Sequence, residues 1–367
     1  MARKKLAIIL SGGGARGAYQ VGILQAWKDL FLKNGSVEIL VGVSAGSINA
    51  VRLMQSAPNY ASGIDALQEL WSTVTTDDIF ESNFKAVVKN LMRLMHSSRY
   101  QRSPHANSIV NAVLDTTPLH DYLSRNIDMG QVQLRLRTMP DHALAVHCFD
   151  YTDMKNVSFF QTREVCPPWE RSTVRGVRTT LTIEHILASC SVPLIFPPWQ
   201  IDGHSYGDGS LRNMTPLNSA IRLGADRIIS ISLRGDSFQG TQNTTPSLGR
   251  IAATMLDSMF LDSLDIDSQF MNRVNMLAAR VPEGERDVKI VDLCRIGPML
   301  DFSLIASRYR HRFPKTLRYL FGGWISSDML SYLLFDREYA NELIEYGRKD
   351  GELFRDVVED WLREGVE

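Results

Sequence analysis

The 367-residue chain has only four cysteines, Cys148, Cys166, Cys190 and Cys294, and no two of them form a C-x-x-C pair. That argues against a disulfide framework or a cysteine-based zinc site, and it suits a reducing, cytoplasmic setting. Net charge is nearly absent too. Forty Lys and Arg against 41 Asp and Glu leave −1, so no global field attracts nucleic acid, and no nucleic-acid partner is expected. No apolar run reaches membrane-spanning length. The opening MARKKLAIIL has the basic start of a signal peptide, but its apolar run, Leu6 to Leu10, is short and meets glycines at once. It reads as a buried strand. Internal repeats and low-complexity tracts are missing. The eight histidines do not cluster, and His147 and Cys148, though adjacent, point to opposite faces of an alternating strand. Neither a metal nor another cofactor is expected. Four N-x-S/T triplets, at Asn34, Asn156, Asn213 and Asn243, are read as chance.

What the chain does have is an ordinary globular composition, 44% hydrophobic and 22% charged. Its length allows one large α/β domain with an appendage, or two domains. The first fifty residues read strand (6–10), glycine turn, helix (15–31), strand (37–43), turn, helix (45–54). The first helix turns Val21, Leu24 and Trp27 inward. Short apolar runs alternating with helices predict a parallel sheet covered on both faces. A mostly helical stretch follows (64–127), then a hairpin from 143–151 and 157–162 around Asp153 to Asn156, and a short helix (183–188). A last βα unit is expected over 219–233. The polar segment 236–249 marks a boundary, and the pattern beyond it is mainly helical. The expected division is 5–235, a linker at 236–249, and a helical region at 250–367 packed on the first.

Two glycine motifs carry the chemistry. Gly12, Gly14 and Gly17 fit G-x-G-x-x-G, which suits either a dinucleotide pyrophosphate or an anion formed during a reaction. GVSAG, with Gly42, Val43, Ser44, Ala45 and Gly46, lies between a predicted strand and a predicted helix, the setting of a nucleophile elbow. The second motif bears on the first. A dinucleotide fold needs an acid near the end of strand two, yet the only acid there, Glu38, stands at its start. A serine nucleophile needs N–H donors for its oxyanion, and the glycine turn supplies them.

At this point SGGGARG (11–17), GVSAG and YGDGSL (206–211) together resemble the three signature blocks of the patatin-like phospholipases, in the same order. ASCSVPLIFPPWQIDG and RNMTPL are similar to that family's surroundings, and SYLLFDREYANELIEYGRKDG resembles tails on its bacterial members. The likeness covers residues 5 to 235. It implies a three-layer α/β/α fold with a mostly parallel sheet, and a Ser–Asp dyad without histidine or metal. Carried over, Ser44 is the nucleophile and Asp208 its partner. Gly12, Gly13 and Gly14 form the oxyanion loop, continued by Ala15, Arg16 and Gly17. After Asp208 and Gly209 the family has glycine or alanine, whereas this chain has Ser210, whose hydroxyl can bond Asp208 and lower its basicity.

The implied chemistry is acyl transfer from a lipid ester or phospholipid to water, with Asp208 as base. Burial must raise the aspartate for it to work at neutral pH. An α/β-hydrolase triad of Ser44, Asp208 and His311 fits in chain order. However, such an elbow follows several strands, and RYRHRFP reads as a charged surface. A binding or storage protein with an idle dyad is the non-enzymatic alternative. Two acid-free basic segments, Phe84 to Arg102 and Arg308 to Trp324, are candidates for peripheral contact with an anionic membrane. In the first, Phe84, Val87, Val88, Leu91, Leu94 and Met95 form an apolar stripe beside Lys85, Lys89 and Arg93. The sequence specifies no oligomeric state.

Overall fold

The computed structural model describes residues 4–33, 37–100, 112–211, 216–234, 245, 248–260, 262–322 and 325–364. In chain order its strands are β1 (Leu6–Leu10), β2 (Ile39–Val43), β3 (Ala143–Asp150), β4 (Lys155–Thr162), β5 (Trp169–Glu170), β6 (Val174–Arg178), β7 (Trp199–Ile201), β8 (His204–Asp208), β9 (Arg227–Ile231) and β10 (Asp292–Ile296). The helices up to the middle of the chain are α1 (Gly17–Ala26), α2 (Lys28–Lys33), α3 (Ala45–Ser56), α4 (Tyr60–Thr73), α5 (Thr76–Ile79), α6 (Phe84–Tyr100), α7 (Thr117–Asn126), α8 (Met129–Thr138) and α9 (Ile183–Ser189). Then come α10 (Pro216–Arg222), α11 (Leu248–Phe260), α12 (Asp262–Ala278), α13 (Phe302–Arg308), α14 (Lys315–Phe321), α15 (Ser327–Leu333) and α16 (Arg337–Glu364).

The strands form one sheet in the order β10-β9-β1-β2-β3-β4-β6-β5, with β8 paired to β3 and β7 paired to β8. From β10 to β3 every pairing is parallel. The β3–β4 hairpin is antiparallel and turns slightly earlier than expected, because Lys155 and Asn156 already pair with Asp150 and Phe149. Alternation along the strands explains the layers. Ile8, Leu10, Leu40 and Val146 face one helical layer, which includes α1, α3 and α4. Ala7, Ile9, Val41 and Ala145 face the other, where α10 and α12 contribute Leu217, Ala220 and Met271. This is the expected three-layer α/β/α architecture, its central sheet mostly parallel.

Three features differ from the sequence reading. The helix expected to reach Phe31 breaks at Trp27, whose indole N–H donates to the Gly351 carbonyl (2.8 Å). In the last unit the helix, α10, precedes the strand, β9. The C-terminal region also adds β10, parallel to β9 at the sheet edge. Its apolar run is interrupted by Asp292 and Arg295, which hides a strand from pattern reading yet suits an edge. The long α16 lies directly on α1, where a Cβ on Gly22 would stand 2.0 Å from the Ile344 carbonyl oxygen. The expected linker lies largely outside the described residues, and α11 begins within it. Of the four N-x-S/T asparagines, Asn156 is buried in β4 and the others lie outside the described residues.

Candidate active site

The parallel strands end at one edge, where loops leave the sheet and ligands bind in open α/β folds. Ser44 stands there, between β2 and α3, at φ 52° and ψ −128°. Non-glycine residues rarely adopt that backbone, and its cost must be met by the surrounding structure. Several contacts hold the turn. The Ser44 N–H donates to Ser189 Oγ (2.8 Å), and the Ser189 hydroxyl donates to the His147 carbonyl (2.6 Å). The Ser44 carbonyl accepts from the Ser47 hydroxyl (2.6 Å) and N–H (2.8 Å). The flanking glycines are needed for close approach. A Cβ on Gly42 would meet Ser47 Cα at 2.4 Å, and one on Gly46 would meet the Leu10 carbonyl oxygen at 2.1 Å. Val43 precedes the turn in β2, and Ala45 opens α3.

Asp208 reaches the same place through strand register. Val43 pairs with His147 on β3, and the next β3 residue, Cys148, pairs with Asp208 on β8. β2 and β8, each paired with β3, thus bring together residues far apart in sequence. Asp208 is fully buried; its Oδ1 accepts from the Ser210 N–H (2.9 Å), while Oδ2 has no hydrogen-bond partner among the described residues. Burial raises its pKa from 3.8 to about 6, against the Ser44 hydroxyl and the Ser210 N–H and hydroxyl, which favour the carboxylate. Gly209 and Ser210 are buried on the 3-10 turn after β8.

The glycine loop follows β1. Gly12 and Gly13 are buried, Gly14 has φ +55°, and Ala15 and Arg16 complete a 3-10 turn that runs into Gly17 and α1. The side chain of Arg16 does not face Ser44. Its guanidinium is buried under the C-terminal region, donating to Ser331 Oγ (2.8 Å) and Tyr332 Oη (2.9 Å), with Asp257 at 3.4 Å.

Beside Ser44 lies an apolar cavity of about 50 Å³. Gly14, Ser44 and Ala45 border it with Trp71, Phe196, Tyr332 and Phe335, among others. Sequence reasoning missed Ser189, Cys190 and every C-terminal contributor. It also missed a buried polar chain in which Trp71 Nε1 donates to Asn49 Oδ1 (2.7 Å), and Asn49 Nδ2 to Gln20 Oε1 (2.9 Å). A lone Gln or Asn inside an apolar helix was the available signal. The C-terminal stretch from Ser331 was legible only as a tail like those of bacterial members, with no part in the site attached to it.

His311 lies apart from this cavity, exposed, its Nδ1 bonded to the Arg308 carbonyl (3.2 Å). Among the described residues the only grouping with metal-ligand spacing is Asp150, Asp153 and His204. Asp150 Oδ2 already takes Arg175 Nη2 (2.8 Å) and His204 Nδ1 (2.9 Å), so a guanidinium supplies the positive charge there. No described helix is long and apolar enough to cross a membrane.

The family model for patatin-like phospholipases matches residues 8–221. No curated protein is detectably similar in sequence. Among solved structures, VipD from Legionella pneumophila is similar at 13% identity and a TM-score of 0.38, over 94% of this chain and 67% of that one.

Proposed function

The chain belongs to the patatin-like phospholipase family, and from that premise we propose that it hydrolyses lipid esters through an acyl intermediate on Ser44. Membership supports lipid acyl hydrolysis in general. The mechanism is supported by one observation: a buried carboxylate, one oxygen of which has no partner among the described residues, lies near a serine held on a strained turn beside an apolar cavity.

Asp208 Oδ2 takes the proton as Ser44 Oγ bonds to the carbonyl carbon. The N–H groups of the Gly12–Gly14 loop and the N-terminus of α3 hold the resulting oxyanion. Collapse breaks the ester C–O bond, Asp208 returns the proton to the leaving oxygen, and water repeats the sequence on the acyl-serine. The apolar cavity, at about 50 Å³, receives the first carbons of the acyl chain. With its pKa near 6, Asp208 is ionised at neutral pH yet far more basic than an exposed aspartate.

Contact with an anionic membrane belongs to α6. Lys85, Lys89 and Arg93 are exposed on it, as are Phe84 and Met92, while Val87 packs into the core. Asn90 on α6 donates to the Val113 carbonyl (3.4 Å), and the Val113 N–H to the carbonyl of Leu194, next to cavity-lining Ile195. The second basic segment is less suited, because Arg308 and Arg312 pair with Glu342 and Glu338 on α16. Trp324 and Arg102, at the ends of these segments, lie outside the described residues.

Fluorophosphonate labelling of the wild type, absent in Ser44→Ala, together with hydrolysis of a short-chain ester tests this reading. An unlabelled wild type that binds lipid without cleaving it would instead point to a binding protein.

A further inference from the structure

We propose that Tyr332 and Asp257 are positioning residues that fix the glycine loop beside Ser44 by holding the guanidinium of Arg16, so that the C-terminal region forms part of the active site. The proposal rests on the Ser44 acyl-transfer reading for its effect on rate, but not for its effect on the loop.

Arg16 is the natural candidate for an electrostatic role, a cation two residues from Gly14. Its guanidinium is spent elsewhere. It stacks 3.7 Å above the Tyr332 ring and lies 5.6 Å from the ring of Phe302. Its Nε–H and Nη1–H groups go to Ser331 and Tyr332, and the Tyr332 hydroxyl in turn donates to Asp257. The side chain is 2% exposed and is not among the residues bordering the cavity. A buried guanidinium satisfied on one side by hydroxyls and a carboxylate, and stacked on a ring, has little freedom to move.

That rigidity passes to the loop through the backbone. The Arg16 N–H donates to the Gly13 carbonyl (3.2 Å), closing the turn that carries Gly14. From the other side α15 itself blocks movement, since a Cβ on Gly14 would stand 2.3 Å from the Tyr332 carbonyl oxygen. Tyr332 therefore touches the loop twice, once through its hydroxyl and once through its backbone. The same residue borders the cavity, with Leu256, next to Asp257, and Leu333. Three C-terminal elements (α11, α15 and the turn after it) thus wall the cavity and hold its polar rim in register. N–H donors stabilise an oxyanion only when aimed at its position, and a displacement of about 1 Å can cost ~100-fold in rate.

The test uses the full chain carrying Tyr332→Phe or Asp257→Asn. Tyr332→Phe keeps the stacked ring and the backbone contact and removes only the hydroxyl. Amide hydrogen exchange over residues 10–18 should speed up in both variants, while exchange in β4 stays as in wild type. For a soluble short-chain ester, kcat should fall by roughly tenfold or more with KM little changed, as expected when only transition-state stabilisation is lost. The midpoint of the pH profile should stay in place, because nothing around Asp208 has altered. If Asp257→Asn folds poorly, Tyr332→Phe decides alone. Wild-type exchange in the loop overturns the proposal, as does an unchanged kcat in a hydrolytically active chain. If the wild type shows no Ser44-dependent hydrolysis, the acyl-transfer reading fails, and loop exchange still decides whether the clamp exists.

Discussion

Asp208→Asn should make the protein more stable at neutral pH while abolishing ester hydrolysis. Burial lifts the carboxyl from 3.8 to about 6. The folded state therefore holds a proton between these values that the unfolded chain has already released. Ionisation favours the unfolded state across that window, so this group's stability is complete below pH 3.8 and is lost as pH rises through 6. At pH 7 the penalty amounts to about 3 kcal/mol. Asparagine has nearly the same shape and cannot ionise. Its amide replaces an oxygen that has no hydrogen-bond partner among the described residues, which takes back part of the gain. Urea titrations of both proteins between pH 4 and 8 read the difference directly. The variant's advantage should be small near pH 4, grow by up to about 1.4 kcal/mol per pH unit, and level off above pH 6. Using the difference between two proteins cancels every other titrating group. A variant less stable than wild type at pH 7, or a difference independent of pH, would refute the assignment of Asp208 as a desolvated base. The wild-type kcat/KM should rise with pH to a plateau with its midpoint near 6.

Four further outcomes are expected. Ser44→Ala should lose ester hydrolysis and fluorophosphonate labelling, whereas His311→Ala, altering an exposed turn, should retain both within about twofold. Gly13→Ala should fold, because its one close contact is with the movable Leu233 Cδ1 at 2.6 Å, while Gly14→Ala, at φ +55° and against a backbone oxygen, should lower the melting temperature as well as the rate. His147, fully buried with a pKa near 3, binds its proton in the unfolded chain from pH 6.5 downward, so stability falls below 6.5. His147→Leu should remove about 2 kcal/mol of the difference in unfolding free energy between pH 7 and pH 5. Charge reversal at Lys85, Lys89 and Arg93 should weaken binding to anionic vesicles and leave cleavage of a soluble ester intact; wild-type binding that is indifferent to salt would count against α6 as the contact.

Local chemistry determined much of what could be read in advance. The apolar run before each glycine turn specified β1 and β2, and the glycines around Ser44 specified an elbow, because only residues without a Cβ let β1, β2 and α3 approach so closely. That Asp208 would come to lie near Ser44 was legible only as what a family resemblance implies. No local pattern announces that β8 will lie antiparallel to β3, and it is this non-local register that sets Asp208 opposite Cys148. The protonation of Asp208 is likewise a tertiary property, because desolvation depends on everything packed around the carboxyl. The family resemblance put Arg16 next to the glycine loop, and only folding shows that its guanidinium turns toward Tyr332 and Asp257. Motifs determine what backbone the chain adopts over a few residues. Where a long side chain spends its charge, and which distant helix closes a cavity, depend on contacts between segments that no periodicity records.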